Sequence, residues 1–392
     1  MNRPAGSHRA VLVVFLVTGF VSATWAARLP ATQERLELSA GRLAFVVLAI
    51  EGGALVGLPL GGHLADRYGS RRTLAVGMVG FPVSLGLLAI APSLVWLCAT
   101  AIVWAVINSI LDVAMNSAGV ELEVRRGRSC MARLHAGHSA GLLVGGLGAV
   151  AAATIGGPLW GHFIVTAFLA LVAGCAATAR LPAFENGRRP PRREIGRDRR
   201  LMLLGAVAFC GFLVEGGAGN WAAVDVRNHH GAPAAVAALA YTFFVVTLTV
   251  TRYVGDGLVS RFGRVKAVRA GGLLAGLGTV VVIAAPNTTS AIGGWGTVGA
   301  GVALLAPTVL AAAGQPEARP VSSSARQSHS GGSSSIAAVS TMGYFGSFSG
   351  PALIGVIADR VGLTVAIGVL SLAALAAIVL AGPALTSGTR RH

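Results

Sequence analysis

Twelve long apolar runs, separated by short polar or basic stretches, leave this chain few ways to fold. They lie near 10–28, 42–64, 73–91, 94–121, 135–155, 158–179, 201–223, 234–257, 268–285, 289–313, 335–357 and 362–382. A helix needs about 20 apolar residues to cross the hydrocarbon of a bilayer. Lipid offers no water to the backbone, so a spanning segment must satisfy its own hydrogen bonds and each run is expected to be a helix. Composition agrees. Of the 392 residues, 54% are hydrophobic and only 12% charged, about half the charged share of an ordinary soluble domain. The expected fold class is all-α integral membrane, with twelve transmembrane helices in two pseudo-symmetric six-helix bundles.

The formal charge of +16 would suit a nucleic-acid binder. Here the basic residues sit between apolar runs, where they set topology instead. With the N-terminus inside, 25 of the 31 basic residues fall in cytoplasmic segments and 5 outside: Arg28, Arg35, Arg42, Arg227 and Arg360. The remaining one, Arg252, lies well inside a span. Both termini are therefore expected to be cytoplasmic, in a multi-pass protein of the plasma membrane. The Arg- and Pro-rich stretch 180–200 separates six spans from six. The expected organisation is an N-terminal bundle over 1–179, a cytoplasmic linker over 180–200 and a C-terminal bundle over 201–392. A second polar stretch, 315–335, is rich in Ser and Gly and is expected to be a loop. The first run follows Arg3 and Arg9 and is read as an uncleaved first helix, because so many spans follow. Cys98, Cys130, Cys175 and Cys210 show no paired spacing and are read as packing residues.

The two halves repeat one another. Gly61-Gly62-His63-Leu64-Ala65-Asp66-Arg67-Tyr68-Gly69 aligns with Gly255-Asp256-Gly257-Leu258-Val259-Ser260-Arg261-Phe262-Gly263 at an offset of 194, each after the second span of its half. Gly141-x-x-x-Gly145-Gly146 in span five mirrors Gly346-x-x-x-Gly350-Pro351 in span eleven. Duplicated halves mark transporters, with the binding site expected between them near mid-depth.

The segment from Gly62 through Asp66, Arg67 and Gly69 to Arg71 and Arg72 resembles the loop signature of the major facilitator superfamily, which lies between spans two and three. Trp25-Ala-Ala-Arg28-Leu-Pro30, Leu111-Asp112-Val-Ala-Met-Asn116 and Ala338-Val-Ser-Thr-Met-Gly343-Tyr344 are similar to a branch that includes poorly assigned bacterial inner-membrane proteins and a rhizopine-locus membrane protein. The resemblance covers the whole chain and implies the two-bundle fold of that family and secondary transport. Two departures stand against a standard drug–proton antiporter. Span four has no Arg before its cytoplasmic end, and the Gly-Pro pair is Gly350-Pro351 in span eleven rather than in span five.

Charges inside a bilayer are costly, so each is a functional candidate. Glu215 lies far into span seven, followed by Gly216, Gly217 and Gly219, then Asn220 and Trp221. It is the first proton-coupling candidate, with Asp112 and Glu51 behind it. Asn108, Asp112 and Asn116 fall at i, i+4, i+8 and form one polar stripe, for which interhelical hydrogen bonding is the alternative. Trp25, Asn108, Asn116, Asn220, Trp221 and Tyr344 are candidates for the substrate cavity. The gate and loop motif comprises Gly62, Asp66, Arg67, Gly69, Arg71, Arg252, Asp256, Arg261 and Gly263, with Arg252 and Asp256 at i, i+4 and able to pair. The series Gly137, Gly141, Gly145, Gly148 suits close helix packing. The pairs His135/His138 and His229/His230 lack a third ligand, so no metal site is assigned. No phosphate loop of the GK[ST] type occurs, which argues against ATP-driven transport. No nucleophile–base cluster points to an enzyme.

The expectation is a cofactor-free, monomeric secondary transporter in the lipid bilayer, moving a small-molecule substrate by alternating access. Protons are the coupling partner, nucleic acid is not a partner, and export is favoured over uptake. A proton-coupled sugar or polyol uptake symporter is one alternative, with Trp25, Trp221 and Tyr344 stacking on a ring. A non-transporting membrane sensor or scaffold is the other.

Overall fold

A computed structural model describes residues 4–126, 130–182, 198–313 and 330–386. Most of the 180–200 linker, most of the 315–335 stretch, Arg128 and both chain ends lie outside the described residues. Fourteen helices run in order: α1 (Pro4–Ala27), α2 (Leu29–Arg35), α3 (Ala40–Tyr68), α4 (Ser70–Ile90), α5 (Leu94–Arg126), α6 (Met131–Thr154), α7 (Leu159–Ala179), α8 (Arg199–Asn228), α9 (Ala234–Phe262), α10 (Arg264–Ile283), α11 (Thr288–Val302), α12 (Leu305–Ala313), α13 (Ser330–Val361) and α14 (Leu363–Thr386).

The fourteen helices among the described residues make twelve crossings for two local reasons. The short α2 is an added turn after α1. The tenth crossing is broken into α11 and α12 at Ala303–Leu304, because Pro307 has no N–H for the Ala303 carbonyl and its ring crowds that carbonyl. Eleven segments among the described residues are long and apolar enough to span a bilayer, with Thr288–Ala313 counted once. The twelfth crossing is α13, whose many Ser and Gly residues dilute its hydropathy. The outward faces are apolar: Val76, Val95 and Leu372 are 75%, 80% and 68% exposed. That pattern suits hydrocarbon as the solvent, since a water-soluble surface seldom leaves such patches uncovered.

The chain divides into two compact units, Met1–Arg188 with Ala223–Thr242, and Arg189–Ala222 with Phe243–His392. In the first unit α1 packs on α6 and α7, α3 on α5, and α4 on α5 and α7. The α3–α5 contact runs along Gly53, Gly57 and Gly61. A Cβ at these positions would sit 2.6 Å from Ile102 O, 2.6 Å from Val106 O and 2.8 Å from Ile110 Cα. With hydrogen instead of a side chain, the two backbones approach closely enough for dispersion to hold them. Gly137, Gly141 and Gly145 of α6 meet Leu12, Leu16 and Phe20 of α1 in the same way. In the second unit α10 packs on α11 and α14, and α13 packs on α12 and α14.

Candidate functional site

The repeated loop motif is a repeated backbone device. Gly69 joins α3 to α4 with φ 82, and Gly263 joins α9 to α10 with φ 83. Each N–H donates to the carbonyl four residues back, Ala65 O and Val259 O, both at 2.9 Å. Each carbonyl accepts the first bond of the next helix, from Thr73 N at 3.2 Å and from Ala267 N at 3.0 Å. Only glycine adopts this left-handed conformation without cost. Just before each turn an arginine covers an aromatic ring, Arg67 over Tyr68 at 5.4 Å and Arg261 over Phe262 at 5.3 Å. Gly62 is buried at the packed side of α3, while Asp66, Arg67 and Arg71 lie toward the surface.

A third copy of the motif is present that reading the sequence by halves does not reveal. Gly355-Val-Ile-Ala358-Asp359-Arg360-Val361-Gly362 repeats Gly62-His-Leu-Ala65-Asp66-Arg67-Tyr68-Gly69. Gly362 joins α13 to α14 with φ 88, its N–H on Ala358 O at 2.9 Å and its carbonyl taking Ala366 N at 3.2 Å. Three crossings separate Gly263 from Gly362, so the two turns occupy opposite ends of the second unit, as inverted repeats require. The signal is a plain string match, hidden because Arg360 counts in the topology only as a basic residue in a loop.

Inside the spans, the main feature is an ion pair. Arg252 Nη2 of α9 donates to Glu215 Oε2 of α8 at 2.7 Å. Their side chains are 35% and 24% exposed. Sequence spacing pairs Arg252 with Asp256, one turn away on the same helix. The structure brings Arg252 onto Glu215, across 37 residues. The Asp256 side chain lies outside the described set. Glu215 sits 16 residues into α8, about 24 Å along the helix at 1.5 Å per residue. On its other side α8 meets α13. Phe212 and Tyr344 rings are 5.7 Å apart, a Cβ on Gly216 would sit 3.0 Å from Ser347 O, and Trp221 Nε1 donates to Pro351 O at 3.0 Å. Asn220 bonds back to Gly216 O at 2.9 Å. The glycine-rich stretch therefore lets α8 fit against α13, with Glu215 reaching α9.

Two members of the α5 stripe bond to each other. Asn116 Nδ2 donates to Asp112 O at 2.8 Å and Asp112 Oδ1 at 3.1 Å. Asn108, one turn earlier, is half-buried, as is Glu51 on α3. The aromatic cavity candidates divide. Tyr344 is 41% exposed, whereas Trp221 is fully buried and Trp25 is 3% exposed. Trp25 is packed between Trp104 and Phe163, with ring centroids 6.2 Å from each. In this state neither tryptophan has a free face for a sugar ring.

At the end of the first unit where α1 stops, α2 makes two polar contacts with the α8 terminus. Arg227 Nε donates to Glu34 Oε1, and Asn228 Nδ2 donates to Gln33 Oε1 at 3.0 Å. None of these four residues is a site candidate by sequence, since nothing in spacing links positions nearly two hundred residues apart.

With the helices and the paired charges located, comparison with known proteins is direct. A family model described as Major Facilitator Superfamily matches residues 10–338. An uncharacterized MFS-type transporter of Yersinia pestis is 28% identical over 92% of this chain and 91% of its own length. An uncharacterized transporter of Sinorhizobium fredii is 27% identical over 97% and 99%. The membrane protein MosC of Rhizobium meliloti is 26% identical over 90% and 84%. Among solved structures, a point mutant of the nucleoside transporter NupG superposes with TM-score 0.76 at 11% identity, covering 98% of this chain and all of that one. A bacterial homolog of the lysosomal transporter Spinster, inward-facing and unoccupied, gives 0.72 at 13%, covering 98% and 95%. At such identities these two structures speak for the fold alone. The chain belongs to the Major Facilitator Superfamily, a family of multi-pass membrane transporters.

Proposed function

We propose that the chain is a secondary active transporter that moves a small organic solute across the bacterial inner membrane by alternating access, coupled to protons through Glu215. The halves 1–179 and 201–392, joined by the 180–200 linker, are its moving parts, both termini are cytoplasmic, and the protein works as a monomer. The observation that carries this reading is the Glu215–Arg252 pair inside the spans. Two opposite charges at contact within the spans, 35% and 24% exposed, hold their helices together. Separating them while both are charged gives up that attraction and leaves each charge within the span without its partner, which is unfavourable. A proton taken from water by the Glu215 carboxylate removes that obstacle. The carboxyl becomes neutral, the charge-assisted bond weakens, and Arg252 is released toward water or substrate. Binding and loss of one proton would thus switch α8 against α9 between two discrete arrangements.

Asp112, held by Asn116, is the second proton carrier to test, and Glu51 the third. Asp66, Arg67 and Arg71 at one turn and Arg261 at its repeat belong to the cytoplasmic gate. Export is the favoured direction on family grounds. The experiment is transport by reconstituted protein with and without an imposed pH gradient, comparing the parent with Glu215→Gln, which copies the protonated carboxyl. The variant should retain solute exchange at zero gradient and lose gradient-driven accumulation. If it concentrates solute like the parent, Glu215 is not the coupling group and Asp112→Asn takes its place in the same assay.

A further inference from the structure

Four of the buried polar side-chain atoms that lack a hydrogen-bond partner belong to one neighbourhood of the first unit: Trp25 Nε1, Arg28 Nε, Trp104 Nε1 and His162 Nδ1. Trp25, Arg28 and Trp104 are 3%, 5% and 4% exposed, so none can turn to water instead. Trp25 contacts Trp104 and Phe163, Trp104 stacks on Phe81 at 5.2 Å, and His162 lies against Phe163 at 6.1 Å. Arg28 stands one turn from Trp25 and reaches the beginning of α7, where its Nη2 donates to Gly157 O at 3.0 Å. His162 N bonds to Pro158 O in that first turn, and Pro158 provides no side-chain cap. The Arg28 charge is close enough to act on the His162 ring.

Three of the four orphaned atoms are donors only, and His162 Nδ1 donates or accepts according to its tautomer. An indole N–H and a guanidinium N–H can only donate, and a neutral His can also present an N–H. The first-turn N–H groups of α7 carry the positive end of a helix dipole. Among the described residues, no carboxylate is hydrogen-bonded to Arg28. Glu34 is near enough to be felt by it, but the Glu34 carboxylate is bonded to Arg227. Buried donors of native proteins are nearly always satisfied, and a buried cation ordinarily carries a counter-ion. The neighbourhood holds more donors than acceptors, and its cation has no carboxylate hydrogen-bonded to it among the described residues.

We propose that Trp25, Arg28, Trp104 and His162 form a binding site for a carboxylate-sized anion within the first unit, with the guanidinium and the two indole N–H groups as its donors. Phe81 and Phe163 supply apolar walls, which suit the carboxyl end of a small organic acid. Arg28 is also the residue at which α1 ends and α2 begins. The Gln33 and Glu34 contacts to Asn228 and Arg227 hold α2 in place, so any motion that frees α2 moves the guanidinium and opens the site. The anion is either the carboxylate of a transported solute or a free small anion, and the chemistry required is the same.

Binding is measured on the full chain in lipid nanodiscs, by tryptophan emission and by thermal unfolding. Sodium acetate and sodium chloride are titrated in turn at constant ionic strength, balanced with the bulky sulfonate MES. The parent should show a saturable emission change and a raised unfolding temperature. Arg28→Gln should weaken both by about tenfold or more, as expected for loss of a charged donor. Trp104→Phe keeps an aromatic ring against Phe81 and the Arg28 charge, removes the N–H together with the five-membered ring of the indole, and should weaken binding severalfold; its unfolding temperature without anion shows that it is folded. Arg360→Gln, at a turn of the second unit, should bind like the parent. A response to acetate alone assigns the site to carboxylates of organic solutes, and a response to both anions assigns it to small free anions. Absence of any saturable response in the parent overturns the proposal. So does a response that Arg28→Gln and Trp104→Phe share undiminished.

Discussion

The contact between Glu215 and Arg252 makes a double-mutant cycle the most informative perturbation of the second unit. Two unit charges about 4 Å apart attract by about 4 kcal/mol at an effective dielectric of about 20, which is a ceiling. The side chains are 24% and 35% exposed, so screening and residual hydration remove much of that. A coupling of about 1–2 kcal/mol remains, near a factor of ten in the unfolding constant. Glu215→Gln, Arg252→Gln and the double variant keep the shapes and remove the charges. Arg252→Gln should cost more than Glu215→Gln, because the less exposed partner is then left without its counter-ion. The double variant should recover about 1–2 kcal/mol of the summed losses. The assay is reversible SDS-induced unfolding in mixed micelles, followed by tryptophan fluorescence. A coupling below about 0.3 kcal/mol, within the scatter of independent sites, would refute the pairing and remove the basis for a proton switch at this position.

The α3–α5 seam should reject any side chain at Gly57, whose Cβ would lie 2.6 Å from Val106 O and 2.7 Å from Ser109 Cβ. Gly57→Val should lose about 2 kcal/mol or more in the same unfolding assay, while Gly52→Ala, with nothing within 4 Å, should change little. Gly69→Ala, Gly263→Ala and Gly362→Ala force alanine to φ of 82, 83 and 88, and each should cost about 1–2 kcal/mol. A neutral result at Gly362 would separate the third copy of the turn from the other two. Cysteines placed in the 180–200 linker of a variant lacking Cys98, Cys130, Cys175 and Cys210 should label only from the cytoplasm. Cysteines in 226–232 should label only from outside, and the reverse pattern would overturn the orientation drawn from the arginines.

The crossings are legible in the sequence because a run of apolar residues as long as a bilayer has few other meanings, and the Gly69 and Gly263 turns are legible because the motif occurs twice at one offset. What escapes depends on rotation about helix axes and on distant partners. Trp25 reads as a cavity aromatic in a row of letters, yet the orientation of α1 turns it toward Trp104 and Phe163. Arg252 has a carboxylate four residues away on its own helix, while Glu215, which it contacts, belongs to another helix, and no spacing rule reaches across 37 residues. The α11–α12 break is available in principle, since Pro307 forbids a bond to Ala303. It is masked by a run apolar enough to read as one span. The third turn, at Gly362, is equally visible as a string and is missed when only one offset between halves is followed. The cluster around Arg28 is not visible at all, because orphaned donors appear only once packing has removed water from them.

The central claim is gradient-driven transport with Glu215 as the proton-coupling group. The direct measurement is mass spectrometry of the lumen of proteoliposomes holding the purified chain, challenged with a panel of small organic acids, sugars and polyols with and without an imposed pH gradient. The parent should concentrate or expel at least one solute only when the gradient is present, and Glu215→Gln should exchange that solute without concentrating it. A parent that moves no solute under a gradient, or a Glu215→Gln variant that concentrates it to the parental level, would contradict the claim.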